Sequence, residues 1–221
     1  MVRRLVADQC LGVIIDVQEF FLSQVEPRLQ SVLKNDITSF ARLLGYFRVP
    51  ILVTLERPVE HKGKLPAEIR KHLARSSRTI EKDFFDLTKE QEIREFVGRS
   101  NKRQIIAVGC ETDVCVLQSC LGLLGLGYET YIVEDLLFSS SSHVETSIAR
   151  MRAEGAIFLT YKSLYYELVE AVDGGQHAKQ MIAKLGRFPE DLPDCSRRFA
   201  DCAGQPLAHA ARKMVTRKNV P

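Results

Sequence analysis

The stretch Gln104-Ile105-Ile106-Ala107-Val108-Gly109-Cys110-Glu111-Thr112-Asp113-Val114-Cys115-Val116, continuing through Leu117 to Gly127 into Tyr128-Glu129-Thr130-Tyr131-Ile132-Val133-Glu134-Asp135, decides the fold. Gln104–Val108 is a short, β-branched apolar run, and Gly109 ends it as a strand. A helix is expected from about Val114 to Leu126, stopped by Gly127. Glu129–Val133 then reads as a second strand, ending at Glu134-Asp135. A strand, a crossover helix and another strand make a βαβ unit, which forces the two strands to run parallel.

The same alternation extends in both directions. Upstream, Leu11–Asp16 is an apolar run ending in an acid, with Val13, Ile14 and Ile15 supplying β-branched weight. Pro27 sits near the start of a helix whose apolar stripe is Leu29, Leu33, Ile37, Phe40, Leu43 and Leu44, with Gly45 near its end. Pro50 opens a strand at Ile51–Leu55, the polar stretch from Glu56 to Lys64 reads as a surface loop, and Pro66 begins a short helix to about Leu73. A strand at Thr79–Lys82 is weakly marked, and Thr88 is the expected N-cap of a helix from Lys89 to about Val97. Downstream, the serine run Ser139–Ser142 is expected to cap a helix over Val144–Ala153, closed by Gly155, before a strand at Ala156–Thr160 and a helix at Ser163–Val172.

Near-continuous apolar strands joined by helices imply a sheet covered on both faces, a three-layer α/β/α sandwich. Ligands of such sheets bind beyond the carboxyl ends of the strands. Asp16, Glu56, Gly109–Cys115 and Asp135 all lie at or just past those ends.

Composition narrows the function classes. The 221 residues are 45% hydrophobic and 27% charged, too apolar for a disordered chain. Lys+Arg 31 against Asp+Glu 28 leaves a net charge of +3, too mild to indicate nucleic acid or an anionic membrane as a partner. No apolar run approaches the roughly 18–20 residues that span a bilayer. Near the N-terminus, Asp8, Gln9 and Asp16 interrupt anything like a secretory h-region. Six cysteines (Cys10, Cys110, Cys115, Cys120, Cys195 and Cys202) are sparse for this length, and three of them crowd one segment. They read as mostly free thiols in a reducing compartment, which points to a cytoplasmic location. After Asp173-Gly174-Gly175 the pattern changes, so residues 1–174 are taken as one domain and 175–221 as an extension. The extension is expected to hold a short helix near Gln176–Lys184, an aperiodic Pro-, Asp- and Arg-rich stretch from Phe188 to Pro206, and a basic helix at Ala208–Lys218, and as a whole it reads either as an oligomer arm or as a surface extension.

The chemistry concentrates at Cys115. A cysteine at the start of a helix meets unpaired backbone N–H groups and the positive end of the helix dipole. Both favour the thiolate, and the same N–H groups can bind an oxyanion formed when sulfur attacks a carbonyl. Taken alone, such a cysteine reads equally as a small buried hydrophobe. Asp16 ends a buried strand, where a carboxylate is costly without a partner or a task, and it could take and return a proton. Lys82, in Glu81-Lys82-Asp83-Phe84-Phe85, could supply fixed positive charge, though an isolated lysine also reads as solvated.

As a set these segments resemble the isochorismatase-like cysteine hydrolases: Val13-Ile14-Ile15-Asp16-Val17-Gln18, then Lys82, then Gly109 to Val116, and then Gly127 to Asp135. The resemblance covers roughly residues 8 to 170. It implies a Rossmann-like six-stranded parallel sheet, with Cys115 as nucleophile, Asp16 as general base and acid, and Lys82 as electrostatic partner. It also implies a non-proline cis peptide at Cys110-Glu111 and an oxyanion hole made by the backbone N–H groups of Glu111 and Cys115. Members that hydrolyse isochorismate lack the cysteine and cut a vinyl ether, so Cys115 points instead to amide-type C–N hydrolysis through a thioester.

The chain departs from the nicotinamidase branch, which holds a metal on an Asp-x-His pair and a further His after the second strand. Here that stretch is Thr54-Leu55-Glu56-Arg57-Pro58-Val59-Glu60-His61, and Glu56 with His61 falls short of the three protein ligands of a catalytic zinc. No metal and no cofactor are therefore expected. A small planar acyl substrate would meet Gln18, Phe21, Phe84 and Arg57, with Phe20 and Phe85 beside them. His72, His143, His177 and His209 are scattered without ligand spacing, and Cys195 and Cys202 have no zinc-type pattern around them. The expected partners are a small-molecule substrate and further copies of the chain. Two other classes stay open: a degenerate member of the fold acting as an interaction protein, and a thiol redox protein.

Overall fold

Residues 3–170 and Leu185 are described by the computed structural model of the chain. Six strands carry the sheet: β1 (Cys10–Ile15), β2 (Ile51–Glu56), β3 (Arg78–Lys82), β4 (Gln104–Gly109), β5 (Glu129–Leu137) and β6 (Ile157–Leu159). All pair in parallel, in the order β3-β2-β1-β4-β5-β6. Successive connections therefore run outward in one direction from β1 to β3 and in the other from β4 to β6. The direction reverses between β1 and β4, and the carboxyl ends of those two strands flank the crevice where such sheets bind ligands.

Strand residues alternate between two cores. Ile14, Val53, Ile106, Val108 and Val133 meet α2 (Pro27–Tyr46) and α8 (Tyr161–Val169) through Ile37, Phe40, Leu44, Leu164 and Leu168. On the other face, Leu11, Val13, Ile15, Leu52, Ile105 and Ile132 meet α5 (Gln91–Ser100), α6 (Leu117–Gly125) and α7 (Glu145–Ala153) through Ile93, Val97, Leu123 and Met151. β1 and β4 are buried along their whole length, which is why they read as unbroken apolar runs. Three short helices lie near the carboxyl edge or pack on the flanks: α1 (Glu19–Ser23), α3 (Val59–Lys62) and α4 (Ala67–Arg70).

The three-layer sandwich and the six parallel strands match the sequence reading; α1 and α3 are short helices it did not anticipate, α3 within the stretch read as a loop, and the other differences sit at element ends. Thr88 does not cap α5: Asp86 accepts the Thr88 N–H at 2.9 Å and closes a 3-10 turn at Leu87–Lys89, and α5 begins at Gln91. Val144, not a serine, stands at the N-cap of α7. The serines turn to Glu111 instead, whose carboxylate accepts from Ser139 Oγ at 2.7 Å and from the Ser140 N–H at 2.9 Å. β5 continues past Glu134-Asp135 to Leu137, and α8 begins at Tyr161, capped by Thr160, whose side chain accepts the Ser163 N–H at 3.1 Å. The expected extension over 175–221, with its two helices, Cys195 and Cys202, lies outside the described residues apart from Leu185.

Candidate active site

Strand register brings the site together. Ile15 at the end of β1 pairs with Thr54 on β2 and with Gly109 on β4, so Asp16 emerges between two neighbouring strands. Its N–H donates to the Thr54 carbonyl at 3.2 Å, and the Thr54 hydroxyl donates to Asp16 Oδ1 at 2.7 Å. Asp16 has a left-handed φ of 50°, and its carbonyl accepts from the Gln18 N–H at 2.8 Å and the Cys110 thiol at 3.0 Å. Gly109 is required where β4 closes on β1. At φ 121° an added Cβ would lie 2.1 Å from the Ile15 carbonyl oxygen, an overlap that only glycine avoids. On the other side, Glu56 pairs in register with Lys82, so the last residues of β2 and β3 stand side by side.

Cys115 enters from β4. The Cys110-Glu111 peptide is cis, as is Arg57-Pro58. A π-type turn over Thr112–Val116 then runs directly into α6, which places the sulfur in the opening turns of a continuous helical segment. The Lys82 ammonium stands at the centre of the cluster, 2.7 Å from Asp16 Oδ2, 3.6 Å from Cys115 Sγ and 3.8 Å from Glu56 Oε2. The Cys115 thiol donates to Glu56 Oε2 at 3.1 Å. Lys62 on α3 pairs with the other Glu56 oxygen and donates to the Arg57 carbonyl at 2.8 Å. Asp16, Glu56 and Cys115 present ligand atoms within 4.8 Å of one another, a spacing that suits a bound cation; the Lys82 ammonium among them supplies that positive charge.

Burial sets the electrostatics. Asp16 and Lys82 have wholly buried side chains, an arrangement that holds only while each charge keeps its partner. Burial pushes the Asp16 carboxyl up from its ordinary 3.8, against the pull of Lys82 and of hydrogen bonds from the Thr54 hydroxyl and the Cys115 thiol. Lys82 loses solvation too, yet Asp16, Cys115 and Glu56 together hold its ammonium above the usual 10.5. Glu56 is shifted the other way. Burial opposes its ionisation, but the hydrogen bonds from Lys62 and Cys115 and the Lys82 charge bring it below 4.5. The sequence led us to expect a Cys115 thiolate favoured by the helix start. The structure corrects this for the resting protein: burial first, then the Asp16 and Glu56 charges, raise the thiol above its ordinary 9.0, and Lys82 only partly offsets them. Resting Cys115 is a thiol with its hydrogen directed at a carboxylate.

Cys115 is 1% exposed, so the sulfur is closed over in this conformation. Glu56, which the thiol contacts, and its ion partner Lys62 have side chains 13% and 20% exposed. The residues expected to touch a substrate are distributed unevenly. Gln18 is buried and its amide is engaged by backbone, accepting from the Glu56 N–H at 2.7 Å and donating to the Glu56 and Gly63 carbonyls at 3.2 and 2.9 Å. Phe21 is nearly buried, with the Lys62 ammonium 5.7 Å from its ring centre. Phe84 and Phe85 are about half exposed. Arg57 is exposed and pairs with Glu81 at 3.2 Å and Asp83 at 2.8 Å. His61 is exposed on α3. Sequence reading placed Glu56 at a strand end but missed it as the partner of the thiol, and it missed Thr54 and Lys62 entirely. The available signal was that Glu56 and Lys82 both end neighbouring strands.

Comparison with known proteins places these features in context. The family model of the isochorismatase domain matches residues 10–163. A secreted isochorismatase effector, Isc1, of Phytophthora sojae is 32% identical over 188 residues, covering 82% of this chain and 86% of its own. Isochorismatase domain-containing protein 2A of Mus musculus is 32% identical over 195 residues, covering 86% of this chain and 88% of its own. Among solved structures, the YcaC gene product of Escherichia coli, described as an octameric hydrolase of unknown specificity, superposes with a TM-score of 0.76. It is 21% identical and covers 91% of this chain and 97% of its own.

Proposed function

The chain belongs to the isochorismatase family, and on that premise we propose that it is a metal-independent cysteine hydrolase, cleaving the C–N bond of a small amide through a thioester on Cys115. The observation that carries this reading is the buried convergence of three groups from separate strands and a helix start, with Lys82 Nζ 2.7 Å from Asp16 and 3.6 Å from Cys115. Cys115 Sγ adds to the carbonyl carbon, and the oxygen that takes up the electron pair rests on the Glu111 and Cys115 N–H groups. Lys82 compensates the charge on sulfur as the proton leaves it. Asp16 exchanges protons with the reacting groups, the amine departs protonated, and water clears the thioester. Phe21 and Phe84 wall the substrate and Arg57 meets a carboxylate on it, while Gln18 acts by holding the Glu56 backbone in place.

The chain works as a homo-oligomer in a reducing compartment. The half-exposed Phe84 and Phe85 and the octameric E. coli neighbour support the first part. The second is supported by four described cysteines, all free. Among the described residues no helix is long and apolar enough to cross a membrane.

One observation favours a second reading. With Cys115 at 1% exposure, the fold could act as an interaction module that no longer turns over substrate. Ammonia release from a panel of small amides separates the two. The hydrolase reading requires release by the wild type and none above buffer by Cys115→Ala. Release by neither supports the interaction module.

A further inference from the structure

We propose that Ser139 and Ser140 are positioning residues of the reaction: they grip the Glu111 side chain from the end of β5 and so fix the backbone N–H of Glu111 as an oxyanion donor. The proposal rests on the hydrolase reading and deepens it.

The serine run does not cap α7, and strand register turns it to another use. Ala107 pairs with Ile132 but Gly109 pairs with Leu137, so β5 gains chain relative to β4 and its end is carried alongside the turn that leads to Cys115. Phe138 is joined to that turn through its backbone. Its N–H donates to the Gly109 carbonyl at 3.2 Å, and its carbonyl accepts from the Thr112 N–H at 3.1 Å and the Thr112 hydroxyl at 2.9 Å. Immediately after it the side chains take over. One oxygen of the Glu111 carboxylate, Oε2, accepts from Ser139 Oγ at 2.7 Å, from the Ser140 N–H at 2.9 Å and from Ser140 Oγ at 2.8 Å.

Hydrogen counting separates the two serines. Ser139 has one hydroxyl hydrogen and two carboxylates within reach, Glu111 at 2.7 Å and Asp113 at 2.6 Å, so it serves one at a time. Its oxygen accepts the Ser141 N–H at 3.2 Å. Ser140 gives Glu111 its N–H and its hydroxyl together, which makes it the firmer hold. The Glu111 carbonyl is tied as well, accepting from the Val114 and Val116 N–H groups at 3.1 and 3.0 Å. With carboxylate and carbonyl both held, rotation about the Glu111 N–Cα bond is resisted, and its N–H keeps one direction against the rest of the turn. Direction matters because an oxyanion donor acts only where charge develops, and a misplacement of about 1 Å can cost about 10²-fold.

The test compares two reagents on Cys115, both followed by peptide mass spectrometry and neither requiring the natural substrate. With p-nitrophenyl acetate, sulfur adds to the carbonyl carbon as the thiol proton passes to Asp16 and the π pair moves to oxygen. Collapse then expels p-nitrophenolate and leaves an acetyl thioester. With iodoacetamide, the S–C bond forms as iodide departs with the C–I pair, and no charge develops on a carbonyl oxygen. Both reactions draw on the same thiolate, so the ratio of their rates reads the oxyanion hole.

Ser139→Ala combined with Ser140→Ala should lower that ratio about 10–100-fold while the iodoacetamide rate stays at the wild-type value. Singly, Ser140→Ala should lower it more than Ser139→Ala, whose hydrogen is shared with Asp113. Ser139→Thr with Ser140→Thr keeps both hydroxyls and should restore the ratio. Glu111→Ala releases the grip from the other side, so it should match the serine pair, and adding it to that pair should change little more. A fold merely loosened would expose Cys115 and raise both rates together, which overturns the proposal. An unchanged ratio in the serine variants also overturns it, and leaves the hydrolase reading standing where wild-type Cys115 is acylated. Failure of p-nitrophenyl acetate to acylate wild-type Cys115 removes the oxyanion hole, and with it both the proposal and the hydrolase reading.

Discussion

At the scale of single residues, the site is a set of charges that stabilise one another only in combination. Lys82→Met would leave the Asp16 carboxylate buried without its ion partner, and it should cost about 3–5 kcal/mol in urea unfolding. Cys115→Ala removes a hydrogen-bond donor from Glu56, which keeps both lysines, and its melting temperature should stay near wild type. Glu56 adds a pH signature. Its acidity is raised in the folded state, so it contributes stability above its ordinary 4.5 that is lost as pH falls toward its lower folded value. The melting-temperature gap between wild type and Glu56→Gln should therefore narrow on acidification below 4.5, and a gap that widens would contradict the assignment. Asp16 and Cys115 were legible in the sequence as positions because each follows a strong strand signal, whereas Lys82 ends a weakly marked strand and stood out only through the family resemblance. Glu56 was legible as a position but not as a role, since its contact with sulfur depends on a register between β2 and β3 that no local pattern encodes. Lys62, on a four-residue helix inside a stretch that reads as a loop, left no signal at all.

At the scale of elements, the buried strands were the easiest to read and the edges the hardest. β3 is an edge strand in which Ile80 and Lys82 are buried and their neighbours exposed, so its apolar signal reduces to a single isoleucine. The serines before α7 carry a capping pattern, yet Ser139 and Ser140 bond the Glu111 carboxylate 29 or fewer residues upstream, a partner that only the closed fold supplies. Two predictions belong here. Gly109→Ala would drive a Cβ into the Ile15 carbonyl, so it should destabilise by at least about 3 kcal/mol and impair Cys115 alkylation along with folding. Thr160→Ala removes the N-cap of α8 and should cost about 1 kcal/mol, read by chemical denaturation, with alkylation of Cys115 unchanged.

At the scale of the whole molecule, the reversal of strand order between β1 and β4 explains why residues from distant parts of the chain meet. Asp16 and Cys115 flank that reversal, and Glu56 and Lys82 come from the two strands beyond β1. The fold class was legible because a parallel sheet needs helices on both faces, and the alternation of strand and helix signals is its direct imprint. Assembly was less legible, because an exposed Phe84 or Phe85 reads the same in a pocket and in a subunit contact. If these rings lie between copies, Phe84→Ser with Phe85→Ser should lower the mass measured by light scattering relative to wild type. An unchanged assembly would assign the rings elsewhere. The most direct test of the mechanism is acid-quenched mass spectrometry of the wild type during turnover of a small amide. The expected result is an added acyl mass on the peptide that contains Cys115; turnover with no such adduct, or with the adduct on another residue, would contradict it.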